Sequence, residues 1–236
     1  MEKKTSGYFA EKFEKLAWIY DCAISFWTFF LGGERRVRGE VIRHAGIREG
    51  DRVLDVGCGT GTASFLMAEQ AGPEGEVVGI DLAERMIAIA RKKLAKSGLG
   101  NISFRQANAE DLPFPDSSFD RVTFFAVLHE MNHEGRINAL KETCRVLRPG
   151  GRVLINDLDA PEKGLGRLLM KLLLLVEGKT ASEMLRRGLD AEIGEAAGEC
   201  LRVVRKRKML SGLVQVLVLE NVAESSSFIG DPPEDL

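Results

Sequence analysis

Three glycines at alternate positions, Gly57, Gly59 and Gly61, close the run Val53-Leu-Asp-Val-Gly-Cys-Gly-Thr-Gly61, in which an apolar stretch passes straight into a turn. Glycine at those steps permits a sharp bend without Cβ obstruction and lets a ligand lie against bare backbone. An acid, Asp81, ends the next apolar stretch, Val77-Val-Gly-Ile-Asp81, 20 residues past Gly61. A carboxylate at that place can accept hydrogen bonds from both hydroxyls of a ribose. A tight strand-to-helix turn would by itself explain the glycines, and helix capping would explain Asp55 or Asp81. Loop and acid together point to a nucleoside-containing ligand. The spacing is G-x-G-x-G, not the G-x-G-x-x-G of dinucleotide loops, and Asp55 stands two residues before the first glycine. An acid so close suits a ligand bearing an ammonium group better than a pyrophosphate.

These residues need a sheet to hold them, and the surrounding pattern supplies one. Strand-like runs at 52 to 56, 76 to 80, 102 to 106, 120 to 126 and 151 to 156 alternate with helical stretches at 62 to 71, 83 to 96 and 134 to 147. That alternation predicts βαβ units. The fold class is α/β: a Rossmann-like, doubly wound, mostly parallel sheet. Past Asp159 the rhythm changes to helical stretches at 165 to 176 and 181 to 197, then two strand-like runs, 201 to 210 and 213 to 219, around Ser211-Gly212. The short connection predicts a C-terminal antiparallel hairpin. The expected organisation is a helical cover at residues 1 to 45, the Rossmann-like domain at 46 to 224 with a helical insertion at about 162 to 198, and a flexible tail at 225 to 236.

Composition narrows the class. Thirty-three basic against 35 acidic side chains give a formal net charge of -2, so no global positive field marks nucleic acid as a partner. The amino terminus is charged throughout and lacks the apolar core of a signal peptide, and the most apolar windows, 26 to 31 and 168 to 176, are too short to span a bilayer. Cys22, Cys58, Cys144 and Cys200 are scattered and resemble neither a disulfide framework nor a zinc knuckle. The expected compartment is the cytoplasm.

The motifs LDVGCGTG at 54 to 61, GID at 79 to 81, NAEDLPFPDSSFD at 108 to 120 and LRPGG at 147 to 151 resemble, in order and spacing, those of class I S-adenosylmethionine-dependent methyltransferases. The resemblance is strongest to the ubiquinone/menaquinone-biosynthesis type and its small-molecule relatives, and it covers roughly residues 15 to 158. It implies S-adenosyl-L-methionine as cofactor. Gly57, Gly59 and Gly61 would wrap its methionine and ribose portion, Asp55 would orient the loop and the ammonium group, and Asp81 would hold the ribose hydroxyls. Leu82 and Met86 would line the adenine, although their spacing of four also suits an ordinary helix core. Asn108 replaces the family's usual aspartate and keeps an acceptor for the adenine amino group; Ala109 would offer its backbone N–H, with Glu110 beside it. Phe125 and Ala126 would flank the methionine end.

Methyl transfer from a sulfonium is an in-line displacement with an excellent leaving group already present, so the protein must chiefly align the acceptor and exclude water. A base is required only where the acceptor must first lose a proton. His129 stands where this family opens onto the acceptor and is the candidate base; a histidine bonded to backbone at a helix start is the competing reading. His129-Glu-Met-Asn-His133 satisfies the zincin pattern literally, but with His44 as the sole further histidine it is read as coincidence and no metal is expected. Tyr20 falls in the segment that the family folds over the pocket and reads either as a lid residue or as a core aromatic.

The acceptor is expected to be small and partly apolar, since Phe26, Trp27, Phe29 and Phe30 add to a leucine-rich helix at 165 to 176. That helix carries Arg167 and Lys171 as a narrow basic stripe. A lipid-facing or quinone-facing wall and a dimer contact both fit it, and ordinary burial is the favoured expectation. A basic cluster at Arg202, Arg205, Lys206, Arg207 and Lys208 leaves RNA or protein methylation as the alternative, beside a non-catalytic cofactor-binding protein.

Overall fold

Val53 and Leu54 are successive residues of one strand, and each is fully buried in a different hydrophobic cluster. A strand covered on both faces is what an apolar run with no polar alternation demands. The computed structural model describes residues 33–161 and 163–223; Tyr20, the aromatic segment around it and the tail at 225 to 236 lie outside them. Five strands, β1 (Arg52–Val56), β2 (Glu76–Asp81), β3 (Ile102–Gln106), β4 (Phe119–Phe125) and β5 (Leu147–Leu158), are mutually parallel. The hairpin of β6 (Leu201–Met209) and β7 (Val214–Asn221) completes a sheet of order β3-β2-β1-β4-β5-β7-β6, with β7 antiparallel to both neighbours. The order reverses between β1 and β4, and at such a point the connections leave in opposite directions and open a crevice at the carboxyl ends of the strands.

The helices are α1 (Glu34–Ile42), α2 (Thr62–Ala71), α3 (Glu84–Ser97), α4 (His133–Val146), α5 (Gly164–Arg187) and α6 (Leu189–Ala197). Residues of α1, α2 and α3 build one cluster with Val53, Val77 and Phe104, while α4, α5 and α6 pack with Leu54, Phe119 and Phe124 on the other face. Two expectations need correction. The helical stretches at 165 to 176 and 181 to 197 divide differently: α5 runs to Arg187 across a break at Gly178 (φ 86°, ψ -156°), and α6 follows Gly188. The cysteines are not all unpaired either, because α4 and the entry to β6 lie side by side and Cys144 and Cys200 form a disulfide with Cα atoms 6.2 Å apart. The separation of 56 residues hid their proximity, and the argument from unpaired cysteines to a reducing compartment falls with it.

Two buried polar groups tie the layers together. Arg136 of α4 is wholly buried and makes a bidentate pair with Glu192 of α6, its Nε and Nη2 donating over 2.6 and 2.7 Å. At the end of β1, Asp55 is also buried and accepts from Ser64 Oγ of α2 at 2.6 Å and from Thr123 Oγ1 of β4 at 2.9 Å. Burial pushes the Asp55 carboxyl up to about 6 against the opposing pull of those two hydroxyls.

Glu192→Leu should cost about 3–5 kcal/mol in urea denaturation, because it leaves the Arg136 charge buried without its carboxylate. A loss below about 1 kcal/mol would mean that the pair does not anchor α6. For Asp55 the folded-state pKa lies above the unfolded one, so folding favours the protonated form: its contribution is complete below about pH 4 and is lost as pH rises through about 6. Between pH 4 and 8 the wild-type chain should therefore lose stability relative to Asp55→Asn, by on the order of 3 kcal/mol. Denaturation curves for both proteins across that range check this, and a constant difference would refute it.

Candidate cofactor site at the strand ends

The crevice predicted by the strand order is a cleft whose floor is the glycine turn. Gly57, Gly59 and Gly61 all have left-handed backbone, with φ of 66°, 55° and 85°, which a β-carbon disfavours. Their surroundings separate their roles. A Cβ on Gly57 would fall 2.4 Å from Val127 and one on Gly61 would fall 2.6 Å from the Phe104 ring, whereas one on Gly59 would meet nothing within 4 Å. Gly57 and Gly61 are thus demanded by packing, and Gly59 is the bare stretch of backbone that faces the cleft.

The turn is held from several directions. Cys58 N–H donates to Ile80 O at 2.8 Å, Gly61 N–H to Cys58 O at 2.9 Å, and Lys93 of α3 donates to Thr60 Oγ1 at 2.9 Å. Asp81 accepts from Gly59 N–H through one carboxylate oxygen and from Ala83 N–H at the start of α3 through the other, each at 2.9 Å. Burial, with Asp55 and Asp81 close by, pushes the Cys58 thiol well above its ordinary range and leaves it a poor nucleophile.

Above the turn, Leu82 and Met86 form one wall with Ala83. Asn108 and Ala109, beyond β3, form a second. Asn108 Oδ1 accepts from Glu110 N–H at 3.1 Å, which orients the side chain and leaves one further acceptor site. Phe125 and Ala126 end β4 on the third side. Ala126 has φ 55° and donates its N–H to Asn156 O at 2.8 Å, a strained conformation at the point where the chain turns along the cleft.

Three of the expected cofactor residues face elsewhere. Gly61 abuts Phe104 and Ala90, as its packing requires. The Glu110 carboxylate lies toward the first turn of α4, where a Cβ on Gly135 would be 3.2 Å from its Oε1. Asp55, 1% exposed, is absent from the cleft wall and instead borders a small adjoining recess with Arg38 of α1 and Thr62.

His129 is displaced from its expected position too. It sits in a 3-10 turn, Leu128–Glu130, is 5% exposed and is not among the residues lining the cleft. Its Nδ1 lies 2.7 Å from Asp157 Oδ1, a side-chain partner on the neighbouring strand. Asp157, at the end of β5, also accepts from the backbone N–H groups of Leu128 (2.8 Å) and Leu158 (2.7 Å). Burial would raise its carboxyl, but His129 and these donors outweigh it and hold the group below the ordinary carboxylate range. The residues that do reach the cleft from this turn are Val127, Glu130 and Met131, and Glu130 Oε1 is 3.8 Å from His129 Nε2. His133 opens α4, where Nδ1 meets Glu192 at 3.2 Å and Nε2 lies 2.6 Å from Arg187 Nη2. The two histidines of the zincin-like pattern therefore do not share a helix face.

Sequence reasoning missed Arg38, Val127, Glu130, Met131 and Asp157. Asp157 was within reach of the strand-end argument used for Asp55 and Asp81; Arg38 had no local signal, since only the docking of α1 brings it to the loop.

A methyltransferase domain family matches residues 47–192. The demethylmenaquinone methyltransferase of Listeria monocytogenes is 40% identical over 149 residues, 63% of this chain and 61% of that protein. The ubiquinone/menaquinone biosynthesis C-methyltransferase UbiE of Francisella philomiragia is 37% identical over 161 residues, 68% of this chain and 61% of that protein. This chain thus spans about three fifths of the length of those relatives. A SAM dependent methyltransferase from Aquifex aeolicus superposes with a TM-score of 0.62 at 24% identity, covering 78% of this chain and 89% of that one, which shows the shared fold. With more than half of its length matched, including the glycine turn, Asp81 and the whole cleft rim, this chain belongs to the methyltransferase domain family.

Proposed function

We propose that the chain transfers a methyl group from S-adenosyl-L-methionine to a small, partly apolar, quinone-like acceptor. The observation that carries the reading is the bare face of Gly59 beside the Asp81 carboxylate, at the carboxyl ends of β1 and β2. The fit of that face to a nucleoside lying on backbone supports the donor, and the names of the relatives support the acceptor class.

In this reading the Asp81 carboxylate holds the ribose hydroxyls, Leu82 and Met86 hold the adenine faces, and Asn108 and Ala109 hold its polar edge. The recess beside Gly59 takes the amino-acid end. There Arg38 matches a carboxylate, and Asp55, pinned by Ser64 and Thr123, sets the shape of the loop. When bound, the sulfonium supplies an activated methyl group. The protein's own work is alignment and exclusion of water. A quinol-type acceptor must lose a proton to become nucleophilic at carbon, and Glu130, on the cleft wall beside the end of β4, is assigned to take it. His129, held by Asp157 behind Glu130, acts as a positioning residue. Residues 1 to 45 and 162 to 198, Tyr20 among them, are assigned as the cover that closes over the acceptor. The alternative acceptors, RNA and protein, draw no support from the basic run of β6, which lies on the sheet edge four strands from β1, with Lys206 paired to Asp190 and Lys208 to Asp159.

The deciding experiment incubates the purified chain and S-adenosylmethionine with a short-chain naphthoquinol, phospholipid vesicles or tRNA, and follows release of S-adenosylhomocysteine. Turnover with the quinol alone is expected; turnover with tRNA alone would overturn the acceptor, and binding without any turnover would overturn the enzyme reading. Asp81→Ala should weaken S-adenosylhomocysteine binding by roughly 30- to 1,000-fold in calorimetric titration, since charged hydrogen bonds to the ribose are lost. Unchanged affinity in a folded variant would move the ribose elsewhere.

A further inference from the structure

Ordinary burial was the expectation for the leucine-rich helix, and α5 departs from it. Met170 is buried and Leu173 and Leu174 pack against the core, but Leu168, Leu169, Leu172 and Leu175 are 57%, 42%, 55% and 81% exposed. The exposed leucines at 168, 172 and 175 share the i, i+4, i+7 spacing of one helix face. Arg167 and Lys171, also exposed, run along its side, and the stretch from Gly164 to Val176 contains no acidic residue. The patch continues at the β6–β7 hairpin. The first turn of α5 abuts that hairpin, since a Cβ on Gly166 would come 2.9 Å from Ser211 O. At the hairpin tip Leu210 and Ser211 have positive φ, and Leu210 is left 54% exposed. Lys163 and Lys208 line the open depression between the two elements.

We infer that this face docks on an anionic lipid surface. Exposed leucines flanked by cations match an interface of buried acyl chain and negative headgroups, and among the described residues no helix is long and apolar enough to cross a membrane. Charge argues against two other occupants, a second copy and residues 1 to 32. Residues 224 to 236, by contrast, carry four acidic and no basic side chains, and vesicle binding absent from the wild-type chain but gained on their removal would give the face to them. A symmetric second copy would face one cationic patch that lacks acidic residues from Gly164 to Val176 with another of the same charge. Residues 1 to 32 carry four acidic and four basic side chains and so offer no net complement. Docked in this way, α5, which packs on the 3-10 turn Leu128–Glu130, carries the wall of the cleft to the lipid surface. The inference is independent of the proposed methyl transfer, because its test reads lipid binding and not turnover.

The test is co-sedimentation of the full chain with vesicles of phosphatidylcholine alone or containing phosphatidylglycerol, at low and high salt. Binding should require the anionic lipid and weaken with salt. Arg167→Gln with Lys171→Gln should reduce it by roughly 10- to 30-fold, and Leu172→Ser with Leu175→Ser should reduce it at least as much. Thermal melting should be unaltered in both variants, since all four side chains are exposed. Absence of binding to either vesicle, or binding indifferent to both variants, would overturn the proposal. So would a wild-type dimer in light scattering that the leucine variant dissolves, which would give the face to a second copy.

Discussion

The arrangement of the site depends on one steric constraint, the closure of the turn from β1 into α2 between two side chains. Val127 approaches from the β4 side and the Phe104 ring from beneath α3, each within 3 Å of where a β-carbon would stand on Gly57 or Gly61. Gly79 of β2 yields to the same ring, with a hypothetical Cβ 2.7 Å from it. The loop is therefore clamped by packing, and the hydrogen bonds from Cys58 to Ile80 and from Gly59 to Asp81 fasten it to β2. What remains open is Gly59. A ligand binding there meets a backbone already fixed, so it need not supply the free energy to order it.

The carboxylates around this turn divide by environment. Asp55 is bonded by two hydroxyls, and desolvation outweighs them, so the proton is retained up to about 6. Asp157 is equally buried but receives three backbone N–H groups and an imidazole, so the ionised form prevails. The first is a structural joint between β1, α2 and β4; the second organises the turn after β4 and fixes the ring of His129. Two acids at analogous strand ends thus serve the site without touching its cleft, while Asp81, half-buried at its rim, faces it.

How legible this was in the sequence followed the range of the interactions. The five parallel strands, the hairpin and the glycine turn with Asp81 are written in runs of a few residues, and they fall within a residue or two of their expected bounds except for β5, which begins at Leu147 because the Pro-Gly turn is drawn into the strand. The inward aim of Asp55, the retreat of His129 behind Glu130, the arrival of Arg38 and the pairing of Cys144 with Cys200 depend on contacts across 9 to 68 positions or on which face of an element turns inward. A strand-end acid looks the same in sequence whether it points into a cleft or into a core. Nor can a leucine periodicity tell a helix with one apolar face and a wet back from one with apolar residues all round.

That last ambiguity has a structural resolution in how α5 is held. Its second half, with Ala181 and Met184 buried, is locked beside α6, and α6 is fixed in turn to α4 by the Arg136–Glu192 pair. The Cys144–Cys200 disulfide fixes the turn beyond α6 to the end of the same helix. Before the break at Gly178, Met170, Leu173 and Leu174 are the inward-directed hydrophobic side chains among the described residues of the first half, on the turn that carries Glu130. A hydrophobic element needs burial on just one side to stay folded, so further exposed leucines add nothing to the stability of an isolated chain and lower its solubility. Their place beside a row of cations fits contact with an apolar, negatively charged surface, with the clamps at α4 and α6 keeping that contact in register with the cleft.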